Sequence, residues 1–165
     1  MQSIDKDLIS NHVVKPVMEL LNFCKTDRDR RTERLLMLGT CAQESLMGKY
    51  LKQIRGPALS MWMIEPATHD DNWENYISHR PRLKYKMNKL LGDGYHSYTD
   101  NLTNNYWYAC AIARVKYYRA DFKMEYIMSI EDLATVWKKY YNSPKGKGTE
   151  KEFIENYKRY VMEQF

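Results

Sequence analysis

The run Tyr106-Trp107-Tyr108-Ala109-Cys110-Ala111-Ile112-Ala113 constrains the chain more than any other stretch, because it is apolar on every side. A helix without a polar face belongs at the centre of a domain, and its small residues let neighbouring helices approach closely. The rest of the sequence supplies those neighbours. Ile9, Val13, Val17, Leu20 and Leu21 recur at helical spacing, with Pro16 predicting a kink or a restart. Leu35, Leu38, Cys41, Ala42 and Ser45 form a second such face, for which Asp27 or Asp29 is the expected cap. Pro66 suits the first turn of a helix running through Trp73, Tyr76 and Ile77. Pro81 opens another, with Leu83, Met87, Leu90 and Leu91 on one side and Gly92 closing it. Ser129 starts a helix through Leu133, Val136, Trp137 and Tyr140, and Thr149 with Glu152 reads as a capping box ahead of Phe153, Ile154 and Tyr157. Residues 46–65 break the pattern, with Gly48, Gly56 and Pro57 among Leu, Met and Trp, so a long structured loop or a small β element around 57–64 is expected there. No repeat or linker divides the chain. The expectation is a single mainly-α domain over 1–165.

Composition narrows the function classes. A length of 165 residues suffices for one domain with a real core, and 44% apolar with 28% charged residues is ordinary for a soluble globular protein. No stretch approaches the roughly 18–20 apolar residues of a membrane span. The start, Met1-Gln2-Ser3-Ile4-Asp5-Lys6-Asp7, lacks the basic-then-apolar layout of a secretory signal, so synthesis in the cytoplasm without a signal peptide is expected. Cys24, Cys41 and Cys110 are odd in number and widely spaced, which predicts reduced core thiols. His12, His69, His79 and His96 show no paired spacing for zinc, so neither a metal site nor a cofactor is expected. The net charge of +5 fits either an anionic partner, such as nucleic acid, an acidic cell-wall polymer or a membrane face, or simple solubility charge. Basic and aromatic residues interleave in Arg114-Val115-Lys116-Tyr117-Tyr118-Arg119, as in surfaces that stack bases. Basic side chains snorkelling around a buried aromatic helix account for the same pattern, so no nucleic-acid partner is expected. Gly146-Lys147-Gly148-Thr149 lacks the upstream glycine spacing and strand of a phosphate loop and reads as a turn.

Glu44 is the residue whose position suggests chemistry. It falls at the end of the second predicted helix, beside the irregular segment, with Cys41 and Met37 one and two turns behind it. Apolar surroundings and the negative end of a helix both favour a neutral carboxyl. That state suits a general acid for a glycosidic oxygen near neutral pH.

Three motifs then carry a resemblance. Gly39-Thr40-Cys41-Ala42-Gln43-Glu44-Ser45, followed by Gly56-Pro57-Ala58-Leu59-Ser60-Met61-Trp62-Met63-Ile64-Glu65-Pro66-Ala67-Thr68, resembles the goose-type lysozyme and soluble lytic transglycosylase superfamily. There a Glu-Ser pair ends a helix, and Gly-Leu-x-Gln-Ile-x-Pro-x-Thr follows after a loop. The likeness is nearer still to a set of bacteriophage transglycosylase-like proteins with Ala-x-Glu-Ser, Gly-Pro-Ala-Leu-Gly and Glu-Pro-Ala-Thr-His. Trp137-Lys138-Lys139-Tyr140-Tyr141-Asn142-Ser143-Pro144-Lys145-Gly146-Lys147-Gly148-Thr149 fits the same set, so the likeness spans most of the chain.

The resemblance implies a lysozyme-like fold and a phage-encoded, virion-associated enzyme that acts in the periplasm or cell wall, with peptidoglycan glycan strands as substrate and other virion proteins as partners. Glu44 becomes the catalytic acid that cleaves the bond between MurNAc and GlcNAc and then, as a base, activates the muramic 6-hydroxyl to give a 1,6-anhydro product. Ser45 shapes the turn behind Glu44 and borders the substrate. Tyr141 supports catalysis by bringing its hydroxyl towards the carboxyl, with Tyr140 as the register alternative, and Asn142, Ser60, Met63 and Thr68 fall among the substrate contacts. Two departures stand out: Met63 replaces the sugar-contacting Gln, and Ser60 the usual Gly. Met63 cannot donate an amide hydrogen bond. An alternation of Leu59, Met61 and Met63 in a short strand would instead bury it. The alternative chemistry is hydrolysis, for which Glu65, Asp70 or Asp71 would be the second carboxylate. The alternative without chemistry is a virion protein that holds glycan and cuts it weakly or not at all.

Overall fold

The computed structural model describes residues 2–91 and 97–165, so the expected stop at Gly92 and the imidazole of His96 lie outside the described residues. The architecture is mainly helical. Helix α7 (Tyr106–Tyr118) is the centre: Ala109 to Ala113 and Val115 have no exposed surface, and the helix touches α2 (Lys15–Leu21), α3 (Asp27–Ser45), α4 (Pro66–Asn75), α5 (Pro81–Leu90) and α6 (Tyr98–Asn104). Against α3 packs α9 (Glu150–Tyr160), where a side chain at Gly39 would meet the Phe153 ring at 2.7 Å. A glycine in the interior of α3 is what lets the two helices come this close.

The region around Pro16 shows how the chain resolves a local conflict. α1 (Lys6–Ile9) runs into α2 through a π-helical turn, Ser10–Val14, and Pro16 stands in the first turn of α2. Proline lacks the N–H that would bond four residues back, at the carbonyl of His12. That carbonyl accepts instead from the Trp107 indole at 2.7 Å, so the half-exposed aromatic at the start of α7 has a structural task.

Two local expectations need correction. The cap of α3 is Thr26, whose hydroxyl accepts from the Asp29 N–H at 3.0 Å; Asp27 and Asp29 sit inside the first turn, where their charge favours the helix N-terminus. Arg114 does not snorkel: it is 3% exposed and its Nε donates to the equally buried Glu33 of α3. Elsewhere the local signals carry through. Ser129 caps α8 (Ile130–Val136), and both reciprocal bonds of the Thr149–Glu152 capping box are present. Residues 46–65 form a structured loop in which Leu59 bridges singly to Lys52 and to Ile64. Cys24, Cys41 and Cys110 are buried free thiols. No described helix is long and apolar enough to cross a membrane.

Candidate active site

Glu44 reaches its place because α3 ends abruptly behind it. Leu46 and Met47 take left-handed backbone angles (φ 52° and 57°) and Gly48 follows at 75°. Non-glycine residues in that region carry strain of order 1–3 kcal/mol each, which the surroundings have to offset. Ser45 does part of this: its buried hydroxyl donates to the Cys41 carbonyl at 3.0 Å and accepts from the Gly48 N–H at 2.8 Å. Ser45 is therefore a turn-forming residue facing the interior, and the expectation that it borders the substrate is corrected.

The loop that follows is pinned from two sides. Trp62 has no exposed surface; its indole donates to the Met37 carbonyl of α3 at 3.0 Å, and its own carbonyl accepts from the Tyr141 hydroxyl at 2.6 Å. Ser60 sits at φ 77°, a backbone angle that suits the glycine of the resembled motif, and its buried hydroxyl accepts from the Trp62 N–H at 3.1 Å. Ser60 thus holds the loop and has no surface to offer a ligand. Met61 is buried, whereas Met63 is half-buried on the wall of a cavity, so an inward alternation through Met63 does not occur.

That cavity, about 490 Å³, is lined by Glu44, Gln53, Ala58, Met63, Glu65, Thr68, Lys116, Tyr141, Asn142 and the 143–148 loop. It brings together six of the residues expected at the site: Glu44, Glu65, Met63, Thr68, Tyr141 and Asn142. Tyr140 lies elsewhere, giving its hydroxyl to the Asp121 carbonyl at 2.7 Å and stacking on Phe122, so the register alternative is corrected in favour of Tyr141. Asp70 bonds to His69 at 2.9 Å and Asp71 pairs with Arg119, which leaves Glu65 as the second carboxylate on this cavity.

Tyr141 and Trp137 come from a π-helical turn, Trp137–Asn142, that extends α8. The Trp137 indole donates to Glu44 Oε1 at 2.8 Å. The Tyr141 hydroxyl goes to the Trp62 carbonyl, not to the Glu44 carboxyl as the resemblance implied. Trp137 is itself confined: it stacks on Phe153, and a side chain at Gly148 would meet its ring at 2.7 Å. Lys138 ties down the same loop by donating to the Gly146 and Gly148 carbonyls, each at 2.7 Å. The Gly-Lys-Gly-Thr stretch is thus a turn on the cavity rim.

The electrostatics follow from these contacts. Burial pushes the Glu44 carboxyl up to about 7, against the opposing influence of the Trp137 N–H and the Lys116 ammonium. Lys116 is pushed down by its own burial while Glu44 and Glu65 favour its charge; its ammonium donates to the Tyr141 carbonyl at 2.6 Å and rests 4.1 Å from the Tyr141 ring centroid. An acid near neutrality, held in one orientation by a single indole donor and open to a polar cavity, can deliver a proton to a bound oxygen and take one back. A larger cavity of about 590 Å³ lies near Phe23, Tyr118 and Phe122; of the two carboxylates on its wall, Glu125 pairs with Lys123 and Asp29 sits in the first turn of α3, where the helix N-terminus favours its charge. The Glu44 cavity is therefore the candidate site.

Sequence reasoning missed Trp137, Lys116 and Gln53. Trp137 read only as a helix-face aromatic, Lys116 as a surface cation, and Gln53 lay in the irregular loop. Among the described residues no cluster of His, Cys, Asp and Glu is placed to hold a metal ion. No protein-family model matches the chain, and neither a curated protein nor a solved structure is significantly similar to it.

Proposed function

We propose that the chain cleaves the MurNAc–GlcNAc β-1,4 bonds of bacterial peptidoglycan as a lytic transglycosylase with a lysozyme-like fold. The observation that carries this reading is Glu44: a carboxyl lifted to about 7 by burial, on the wall of a polar cavity and oriented by the Trp137 indole. The sequence resemblance supplies the substrate. Protonated Glu44 gives its proton to the bridging oxygen as the C1–O bond breaks, leaving a cation-like muramic ring. The resulting carboxylate takes the proton of the 6-hydroxyl of that ring as O6 bonds to C1. The product carries a 1,6-anhydro ring, the other strand ends in a free 4-hydroxyl, and Glu44 is protonated again. No water enters the balance. Burial matters for both halves, since a carboxyl near pH 7 is populated in either form. On the same resemblance the protein is a phage enzyme carried in the virion and acting on the wall.

Hydrolysis is the second reading, because Glu65 shares the cavity and could direct a water. Mass spectrometry of muropeptides after digestion separates the two: anhydro-muramyl ends are expected, and reducing ends alone would establish the hydrolase. Glu44→Gln is expected to lower either activity by about a hundred- to ten-thousand-fold, since the amide keeps the shape and cannot donate a carboxylic proton. Activity near wild type in that variant would remove Glu44 from the mechanism.

A further inference from the structure

We propose that Lys116 is a positioning residue for the cleavage step: its ammonium, tethered to Tyr141 rather than paired with an acid, is the counter-charge for the Glu44 carboxylate formed when the proton leaves. This rests on the glycan-cleavage reading above and adds a cation to the carboxyl and indole of that mechanism.

Lys116 stands in the last turn of α7 and lines the same cavity as Glu44 and Glu65. An unrestrained lysine facing two carboxylates would swing onto one of them. Here the ammonium is engaged elsewhere: it donates to the Tyr141 carbonyl at 2.6 Å and rests 4.1 Å from the Tyr141 ring centroid. Both contacts favour the charged amine and occupy neither acid. Tyr141 belongs to the same π-helical turn as Trp137, so one element fixes both the indole that holds Glu44 and the cation that shares its cavity.

Withholding the contact has a chemical purpose. A direct ion pair would hold Glu44 ionised and unable to donate. From its tether Lys116 favours the anion less than burial disfavours it, and the carboxyl stays lifted to about 7. Once the proton has gone to the glycosidic oxygen, the same cation stabilises what remains. Lys116 keeps all of its own protons, so the proton balance of the reaction is unchanged.

The other charges around Glu44 are differently placed. Glu65 and Lys147 line the cavity but are exposed, so solvent screens them. Asp71 is paired with Arg119, and Lys138 is committed to the Gly146 and Gly148 carbonyls. Burial raises the Tyr117 and Tyr141 hydroxyls well above their ordinary range, which keeps both neutral. Half-buried Lys116 is left as the cation that reaches Glu44 through protein. A bound glycan strand drives water from the cavity, and the attraction between ammonium and carboxylate then grows. Lys116 therefore acts more strongly in the loaded complex than in the free protein.

Three replacements separate charge from structure. Lys116→Gln keeps a neutral donor for the Tyr141 carbonyl, Lys116→Met keeps neither donor nor charge, and Lys116→Arg keeps both. Losing a cation that favours the Glu44 anion should move the Glu44 titration to higher pH, read by NMR on carboxyl-labelled free protein. That movement is expected for Gln and Met and not for Arg. On peptidoglycan strands kcat should fall about ten- to a hundred-fold for Gln and Met, less than for losing a donor aimed at the reacting atoms. KM should stay within about three-fold, and Arg should recover most of the rate. The alkaline limb should move further in kcat, which reports the loaded complex, than in kcat/KM, which reports the free protein. An unmoved Glu44 titration or a wild-type kcat in Lys116→Gln overturns the proposal and leaves glycan cleavage standing, with Lys116 reduced to tying α7 to the π-helical turn. No cleavage of peptidoglycan by the unmutated chain overturns both. Should Lys116→Met fail to fold, as its urea midpoint would reveal, the Gln and Arg arms decide.

Discussion

Glu44 and Glu163 both lean on α3, one in its last turn and one against Arg34 in its first half, and their surroundings have opposite chemistry. Glu163 accepts both terminal nitrogens of Arg34, at 3.0 and 2.7 Å, and the Lys6 ammonium at 3.2 Å. The Arg34 bonds, then Lys6, hold its carboxyl down at about 2 despite partial burial. Glu44 has a cation in range but no ion-pair contact, and its one direct donor is a neutral indole, so burial wins and the carboxyl rises to about 7. The difference teaches where each charge is meant to be: fixed at the clasp that ties the C-terminus to α1 and α3, movable at the cavity. A contact with two matched N–H groups stabilises the anion, whereas a single neutral donor does not offset burial, so the Glu44 carboxyl keeps its proton up to near neutral pH.

The sharpest way to break this contrast is to follow stability against pH in Glu44→Gln. Below about 4.5 both the folded and unfolded chains hold the Glu44 proton, so the group contributes nothing. As pH rises from 4.5 to about 7 the unfolded chain ionises first, and the wild type loses stability until the loss is complete above 7. A lift of that size corresponds to up to about 3 kcal/mol. Glu44→Gln is therefore expected to match the wild type at pH 4 and exceed it by up to this amount at pH 8, measured by urea midpoint. A variant no more stable at pH 8 would mean that Glu44 is ionised without cost.

Glu163→Gln should behave in the reverse sense. A depressed carboxyl contributes stability in full above about 4.5, and that stability is lost as pH falls towards 2. Allowing for a side chain 25% exposed, the amide should cost about 2 kcal/mol at pH 7 and almost nothing near pH 2. A deficit that persists unchanged at low pH would assign the effect to packing of the C-terminal segment.

These two carboxylates were unequally legible in the sequence. Glu44 sat where helical periodicity stopped, beside a glycine- and proline-containing loop, and a resemblance pointed at it. Its clasp counterpart pairs with a residue 129 positions away, and no local pattern reports such a contact. The fold was readable for a related reason: apolar spacing and cap chemistry are local, and α7 announced its central place by having no polar face. Thr26 as the cap of α3 was missed because Asp27 and Asp29, equally good cap types, stood beside it. Trp137 was missed because an aromatic at helical spacing looks the same whether its indole is idle or donates to an acid. Trp137 and Tyr141 stand four residues apart and share a helix face by spacing alone; what the spacing could not show is that this face meets Glu44 and the Trp62 carbonyl.

Trp137→Phe sharpens the comparison by taking away the indole donor. The bond to Trp137 lowers the Glu44 carboxyl, so its loss should move the alkaline limb of the activity profile to higher pH. Rate at the optimum should also fall, because the carboxyl loses its fixed orientation. The buried ring leaves a gap beside Phe153, with a stability cost of about 1–3 kcal/mol, below that of truncation to Ala. A profile that keeps its shape while stability falls would reduce Trp137 to core packing.

The smallest expected effect is that of Met63→Gln, which asks whether the cavity lacks an amide. Met63 stands at φ 45° on the cavity wall, half-buried, where the resembled motif has a sugar-contacting Gln. The backbone angle is as awkward for Met as for Gln, so the substitution adds no backbone strain. A partly exposed amide can reach water, so it escapes the penalty of a buried, unpaired one, and the urea midpoint should stay within about 0.5 kcal/mol of wild type. One new hydrogen bond to a sugar contributes about 0.5–1.5 kcal/mol, or roughly two- to twelve-fold in affinity. Gln53 limits this gain. Its side chain lines the same cavity, and its Oε1 accepts from the Ala58 N–H at 3.3 Å, which aligns the amide and leaves its NH₂ to face a ligand. If Gln53 already makes the sugar contact, Met63→Gln gains little by itself and more in a Gln53→Ala background. Affinity for chito-oligosaccharides in the two single variants and the double variant measures that coupling directly. Strictly additive effects would mean that the two side chains address different parts of the sugar, and a gain confined to the double variant would mean that Gln53 has taken over the place of the missing amide.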